Sequence, residues 1–297
     1  MHRGQNALAS GDAAEGLRWL DRAYRLAPAD STLALALASA CLSQDPQRAV
    51  ELFGCVASKH DVREAWFGLA AARMQIGDPR GATVALAQML ARHSPLRHLT
   101  GERSLADEVV LLAGESGWCG LQGDGTLLIR PAVAAAITVR LDGRRCREAR
   151  LPPSWTRARQ VRVSVGDKEL IGSPIDVASI LRTTGFVEAH DDGLRGWAWH
   201  PRDPDADPRL TIRTVSGRIV RRLTATARDA VVQLAVPLAR PRGFFVPANA
   251  LQNIDEPLEV VGRDGRQLLG SPLYPSAESR PNQHPPPPAT GGRKKVH

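Results

Sequence analysis

Asp203, Asp205 and Asp207 alternate in the stretch HPRDPDADP, with His200 at its head. Alternating acids invite two readings, a calcium loop and a D-x-D motif. A calcium loop would need a mid-loop glycine and a glutamate at its twelfth position. Counted from Asp203, a proline stands at 208 and a threonine at 214, so that chemistry is excluded. The D-x-D that holds a metal-bound sugar nucleotide follows a buried apolar strand, whereas this one sits among prolines. A solvated turn is the expectation. Just before it, Trp197 and Trp199 alternate and share one face of any strand. Together with Trp118 and Arg195 they form the candidate ligand-binding set, because flat indoles stack on sugar rings. The competing and preferred role for these indoles, Trp155 included, is core, given the area that each ring buries.

Other chemistry is thinly represented. His93, His98, His190 and His200 lack the spacing of a helical zinc site. Cys41, Cys55, Cys119 and Cys146 form no C-x-x-C pair, so no zinc or dithiol centre is expected. No nucleophile elbow, P-loop or Rossmann fingerprint occurs. The reading is therefore no catalytic residues, no metal and no cofactor.

Basic residues outnumber acidic ones 39 to 31, and the imbalance is local. Residues 1–110 are neutral, so the excess lies in residues 111–297, with 27 basic against 19 acidic. One run includes Arg144, Arg145 and Arg147, a second Arg218, Arg221 and Arg222; both flank predicted hairpin turns. These six are the candidate patch for an anionic partner. A solvated strand face in an arginine-rich chain is the plainer reading, and nucleic acid is not the expected partner.

The elements that would position these groups fall into two styles. Over residues 1–95 a period of about 33 links Gly11-Asp12, Asp45-Pro46 and Gly77-Asp78. A small residue follows each turn (Gly16, Ala49, Ala82), and a large apolar one comes four positions later (Leu20, Phe53, Leu86). That spacing predicts the second helix of three helical hairpins. Residues 101–113 predict a closing helix with Ser104 as N-cap and Asp107 completing a capping box. The period, with Ala23, Pro28, Trp66, Leu69 and Ala82, resembles the tetratricopeptide repeat. The resemblance implies a solenoid that docks a protein partner.

From residue 114 the pattern turns to short apolar alternations punctuated by Asp142-Gly143, Gly166-Asp167, Ser216-Gly217 and Asp264-Gly265, all hairpin signals. Two copies of one β-module are predicted, each a small antiparallel sandwich or partial barrel. The repeat is read as opening at Gly117-Trp118 and again at Gly196-Trp197, and as closing on the two Gly-Ser-Pro segments at 172–174 and 270–272. RPRGFFVPANALQN is expected as a loop over one open end. The fold class is thus α+β, with a helical solenoid over 1–113, β-modules over 114–184 and 185–275, and a proline-rich tail over 276–297 read as disordered.

Gly185, Gly193, Gly196-Trp197-Ala198, Pro201, Pro204, Gly217 and Gly270-Ser271-Pro272 resemble a module that recurs in bacterial glycosyltransferase-associated chains. The first copy departs from it, with Trp118-Cys119 where the pattern has W-A-W. The resemblance implies a non-catalytic scaffold attached to polysaccharide or glycosyl-transfer machinery, with a glycan or a glycosyltransferase as partner. A glycosyltransferase whose catalytic domain is separate or missing is the alternative, and binding of an acidic polymer through the arginines a third. No segment has the apolar core of a signal peptide or the length of a membrane span, so a cytoplasmic location is expected.

Overall fold

The computed structural model describes residues 1–95, 100–146, 151–228 and 238–274. Helices come first: α1 (His2–Ala9), α2 (Ala13–Leu26), α3 (Ser31–Cys41), α4 (Pro46–His60), α5 (Arg63–Gln75), α6 (Pro79–Arg92) and α7 (Thr100–Ala113). Each packs on the next along the chain. The period of 33 has a local cause. Asp12, Asp45 and Asp78 are the N-caps of α2, α4 and α6, and each side chain accepts the N–H three residues on, at 2.9, 3.1 and 2.8 Å. The small residues after them are buried, as are Leu20, Phe53 and Leu86. Helix α7 starts at Thr100, so Ser104 lies inside it and is not its cap. Asp107 accepts from the Trp118 indole at 2.7 Å, a role the capping-box reading missed.

The β region holds β1 (Gly117–Leu121), β2 (Leu127–Pro131), β3 (Ile137–Leu141), β4 (Arg144–Arg145), β5 (Gln160–Val165), β6 (Lys168–Glu169) and β7 (Ile175–Asp176), then the short helix α8 (Val177–Leu181). The second module contains β8 (Thr184–His190), β9 (Gly193–Trp199), β10 (Arg209–Thr214), β11 (Ile219–Thr224), β12 (Arg242–Pro247) and β13 (Leu258–Val261). All pairings between these strands are antiparallel. In the first module β1-β2 shares a core with β4-β3-β5-β6; in the second, β12-β9-β8 shares one with β11-β10-β13. The Asp142-Gly143 turn has positive φ at both residues, 47° and 85°, as a tight hairpin demands.

The internal repeat is real, but its register differs from the sequence reading. Trp118 bridges Ile171 in parallel, and Phe186 bridges Leu269 in the same way. Val163 N–H donates to Ser173 Oγ at 3.0 Å, and Val260 N–H to Ser271 Oγ at 3.0 Å. Gly172 and Gly270 both adopt φ of 93°. A Cβ at either would strike a carbonyl, that of Cys119 or that of Val187. Gly117-Trp118 therefore corresponds to Gly185-Phe186, and Trp197, paired with Phe186, corresponds to Arg130, paired with Trp118. The shared Gly-Trp dipeptide pointed to the wrong strand.

A second correction concerns RGFFVP. It is strand β12, lying along β9, with Phe244 and Val246 in the core and Phe245 half exposed.

Candidate functional site

The stretch 200–208 is not a solvated turn. It is the joint between the helices and the second module. His200, Arg202, Pro204 and Pro208 are buried. The Arg202 carbonyl accepts Ser94 N–H at 2.9 Å. Its guanidinium enters the helical stack, where Nη2 meets Asp61 Oδ2 at 2.6 Å and Nη1 donates to the Asp61 carbonyl. Asp61 ends α4 in a left-handed conformation, φ 50°, which turns its side chain into a cluster of donors. Arg92 reaches it at 3.0 Å, and Trp66 Nε1 donates at 2.6 Å.

His93 completes this hub and is fully buried. Arg202 Nη1 stands 3.0 Å from its Nε2. A guanidinium only donates, so that contact needs a lone pair on Nε2 and a neutral ring, whereas Asp61 Oδ1, 3.3 Å from the same nitrogen, would need it protonated; the shorter contact favours the neutral ring. Burial lowers the His93 pKa, in agreement with that protonation state. For Asp61, burial pulls the other way, but the surrounding donors and the Arg202 charge prevail and hold the carboxyl well below the usual carboxylate range.

The remaining acids of the stretch are also engaged. Asp205 takes Arg240 and, at 3.4 Å, the buried Arg63, whose Nη1 also donates to the Ser94 carbonyl. Asp207 accepts from Arg242 at 3.0 Å. A cavity of about 690 Å³ lies beside this joint, lined by Gln122, His200, Asp203, Asp207, Arg209 and Arg263 among others. His200 Nδ1 lies 3.1 Å from the Arg182 carbonyl and so donates to it; burial lowers this imidazole's pKa too. Among the described residues no group of three or more His, Cys, Asp or Glu side chains could hold a metal ion.

The four candidate ligand-binding residues do not converge. Trp118 belongs to the core of the helical stack, beside Val109 and Val110 of α7. Along β9 the residues facing the module core are Leu194 and Ala198, so Arg195, Trp197 and Trp199 point to the opposite face. Trp199 is buried there, and its Nε1 has no hydrogen-bond partner among the described residues. Trp197 is half-buried across from Phe186, while Arg195 pairs with Asp192 and lies 5.4 Å over the Phe245 ring. Arg195, Trp197, Phe186 and Phe245 thus form one outward aromatic face. Trp155 is core, as expected.

The arginine runs sit on two separate hairpins. Arg144 and Arg145 are exposed on β4; Arg218, Arg221 and Arg222 are exposed on the β10–β11 hairpin; Arg147 lies outside the described residues. Strand register reveals a feature that composition did not. Arg145 pairs with Arg140, which pairs with Arg162, so three exposed guanidinium side chains line up across three strands. Like charges placed directly opposite destabilise a sheet. Among the described residues the ion pair in this row is Arg162 with Glu169, at 2.7 Å.

Compared with known proteins, the chain matches no family model, no curated protein and no solved structure. No helix among the described residues is long and apolar enough to cross a membrane.

Proposed function

We propose that this chain is a non-catalytic scaffold serving bacterial polysaccharide or glycosyl-transfer machinery. The helical array, read as tetratricopeptide-like, would dock a protein partner. The second β-module would face a glycan or a glycosyltransferase with its Arg195–Trp197–Phe245 surface. One observation carries the scaffold part: the acids and imidazoles best suited to chemistry are engaged in joining helices to sheet, as Asp61, His93 and Arg202 do. The link to glycosyl transfer rests on the glycine, tryptophan and proline pattern around 185–204.

Because the joint spans residues 61 to 202, the test uses the whole chain as bait in its native host. A glycosyl-transfer enzyme or its product, recovered with the chain and lost on Trp197→Ala, supports the reading. Repeated recovery with no such component removes it.

The row Arg145–Arg140–Arg162 favours a second reading, capture of an acidic polymer. Binding of that kind weakens steeply with salt, so a salt titration against a polyanion such as heparin separates the two.

A further inference from the structure

Among the described residues the two modules differ at one sheet edge. In the second, β12 lies along β9 and closes that sheet. In the first, β2 is the counterpart of β9, and among the described residues no strand pairs on its other side. Chain length explains the difference: twenty-three residues join β11 to the 3₁₀ turn Ala248–Leu251, but seven join β4 to the 3₁₀ turn Pro153–Arg157. The longer connection is what supplies β12.

This edge, unpaired among the described residues, is suited to pairing. Ala132 N–H donates to the Ser116 carbonyl and Gln122 N–H to the Thr126 carbonyl, so even-numbered residues of β2 bond inward to β1. By alternation, the N–H and C=O of Leu127 and Ile129 point outward. Leu194, the counterpart of Leu127, is paired with Val246 of β12 and fully buried, whereas Leu127 is half-buried. A cleft of about 1570 Å³ adjoins this edge. Leu127, Leu141, Leu151 and Trp155 line it with apolar surface, and its charged lining is three arginines, Arg144, Arg145 and Arg157, against two aspartates, Asp124 and Asp142, the latter engaged by the Arg159 and Gln160 N–H groups.

We infer that the β2 edge and its cleft accept an extended peptide strand from a partner, apolar at alternate positions and acidic at its flanks. The module's own relative shows the mode, since β12 presents Phe244 and Val246 to the core in this way. Charge selects the occupant. Two copies of this chain meeting edge to edge would bring these arginines together, whereas an acidic strand is attracted to them. This inference stands apart from the polysaccharide reading, because it rests on a strand edge in the other module.

The probe is a labelled synthetic peptide, acetyl-EDFTVED-amide, titrated into the full chain by fluorescence anisotropy. Saturable binding is expected, with the lysine-flanked analogue KKFTVKK failing to bind. Ile129→Pro removes one outward N–H from the edge and should weaken binding about tenfold or more. Arg144→Glu, at an exposed position, should weaken it by a similar factor and flatten its salt dependence. Absence of saturation, or unchanged affinity in either folded variant, overturns the proposal. So does a concentration-dependent dimer that Ile129→Pro dissolves, since a second copy would then own the edge. If Ile129→Pro does not fold, as judged by circular dichroism, Arg144→Glu and the lysine analogue decide the matter.

Discussion

The hub at Asp61 makes a quantitative prediction about how the helices and the second module hold together. Asp61→Asn keeps the side-chain shape and suits the left-handed backbone, since asparagine tolerates that conformation. It removes the charge that balances Arg202, whose side chain is only 9% exposed. Breaking a buried pair by deleting one partner costs ~3–5 kcal/mol. Asp61 keeps 21% of its side-chain surface in water, so the low end applies, about 3 kcal/mol. Arg202→Met should cost less, about 1–2 kcal/mol, because Asp61 retains Arg92 and Trp66 as partners. The double variant leaves neither charge stranded across the joint. Its loss should fall short of the sum of the single losses by about 1–3 kcal/mol. Urea unfolding, followed both by helical circular dichroism and by tryptophan emission, measures all three. Losses that add to within about 0.5 kcal/mol would show that the two residues do not act together, and the joint as described would be wrong.

Other expectations follow from single contacts. His93 is held neutral below its ordinary pKa, so unfolding takes up a proton; stability should decline as pH falls below about 6.5, by up to ~1.4 kcal/mol per pH unit for one such site. His93→Gln should shallow that slope, and the further loss from Asp61 should begin only below about pH 4, where the carboxyl protonates in the unfolded chain while the folded one stays ionised. Trp118→Phe deletes the bond to Asp107 at a cost of about 1 kcal/mol, and it should lower helical and sheet transitions together, because that indole lies in the helical core. Asp45→Ala should cost about 1 kcal/mol through loss of the α4 cap, read from urea midpoints. Gly270→Ala should destabilise by more than about 1 kcal/mol, since φ of 93° and the Val187 carbonyl both oppose a Cβ.

What the sequence disclosed and what it hid divide by distance along the chain. The caps at Asp12, Asp45 and Asp78 act on N–H groups three residues away, so their spacing alone revealed the paired helices. The Asp142-Gly143 hairpin was legible for the same reason: its turn chemistry is local. The stretch 200–208 looked solvated because its partners, Asp61, His93 and Ser94, lie more than one hundred residues upstream. No local pattern marks such a contact. A proline-rich acidic segment reads as a turn whether it meets water or a buried arginine. Gly-Trp is the conspicuous dipeptide of the repeat, but the true equivalence rests on two serine hydroxyls and two glycines packed on carbonyls, contacts that leave no mark in local sequence. RGFFVP carries the period-two alternation of a strand in Phe244 and Val246. The prolines at its two ends obscured that signal.

The joint itself can be tested at one backbone site. Ser94 N–H donates to the Arg202 carbonyl, linking the end of α6 directly to the second module. If that joint is part of the folded core, the Ser94 amide should exchange with deuterium only through global unfolding, and Arg202→Met should release it to faster, local exchange. Rapid exchange of the Ser94 amide in the unaltered chain, while the α6 interior stays protected, would mean that helices and sheets part freely, and the account of 200–208 as a structural joint would fail.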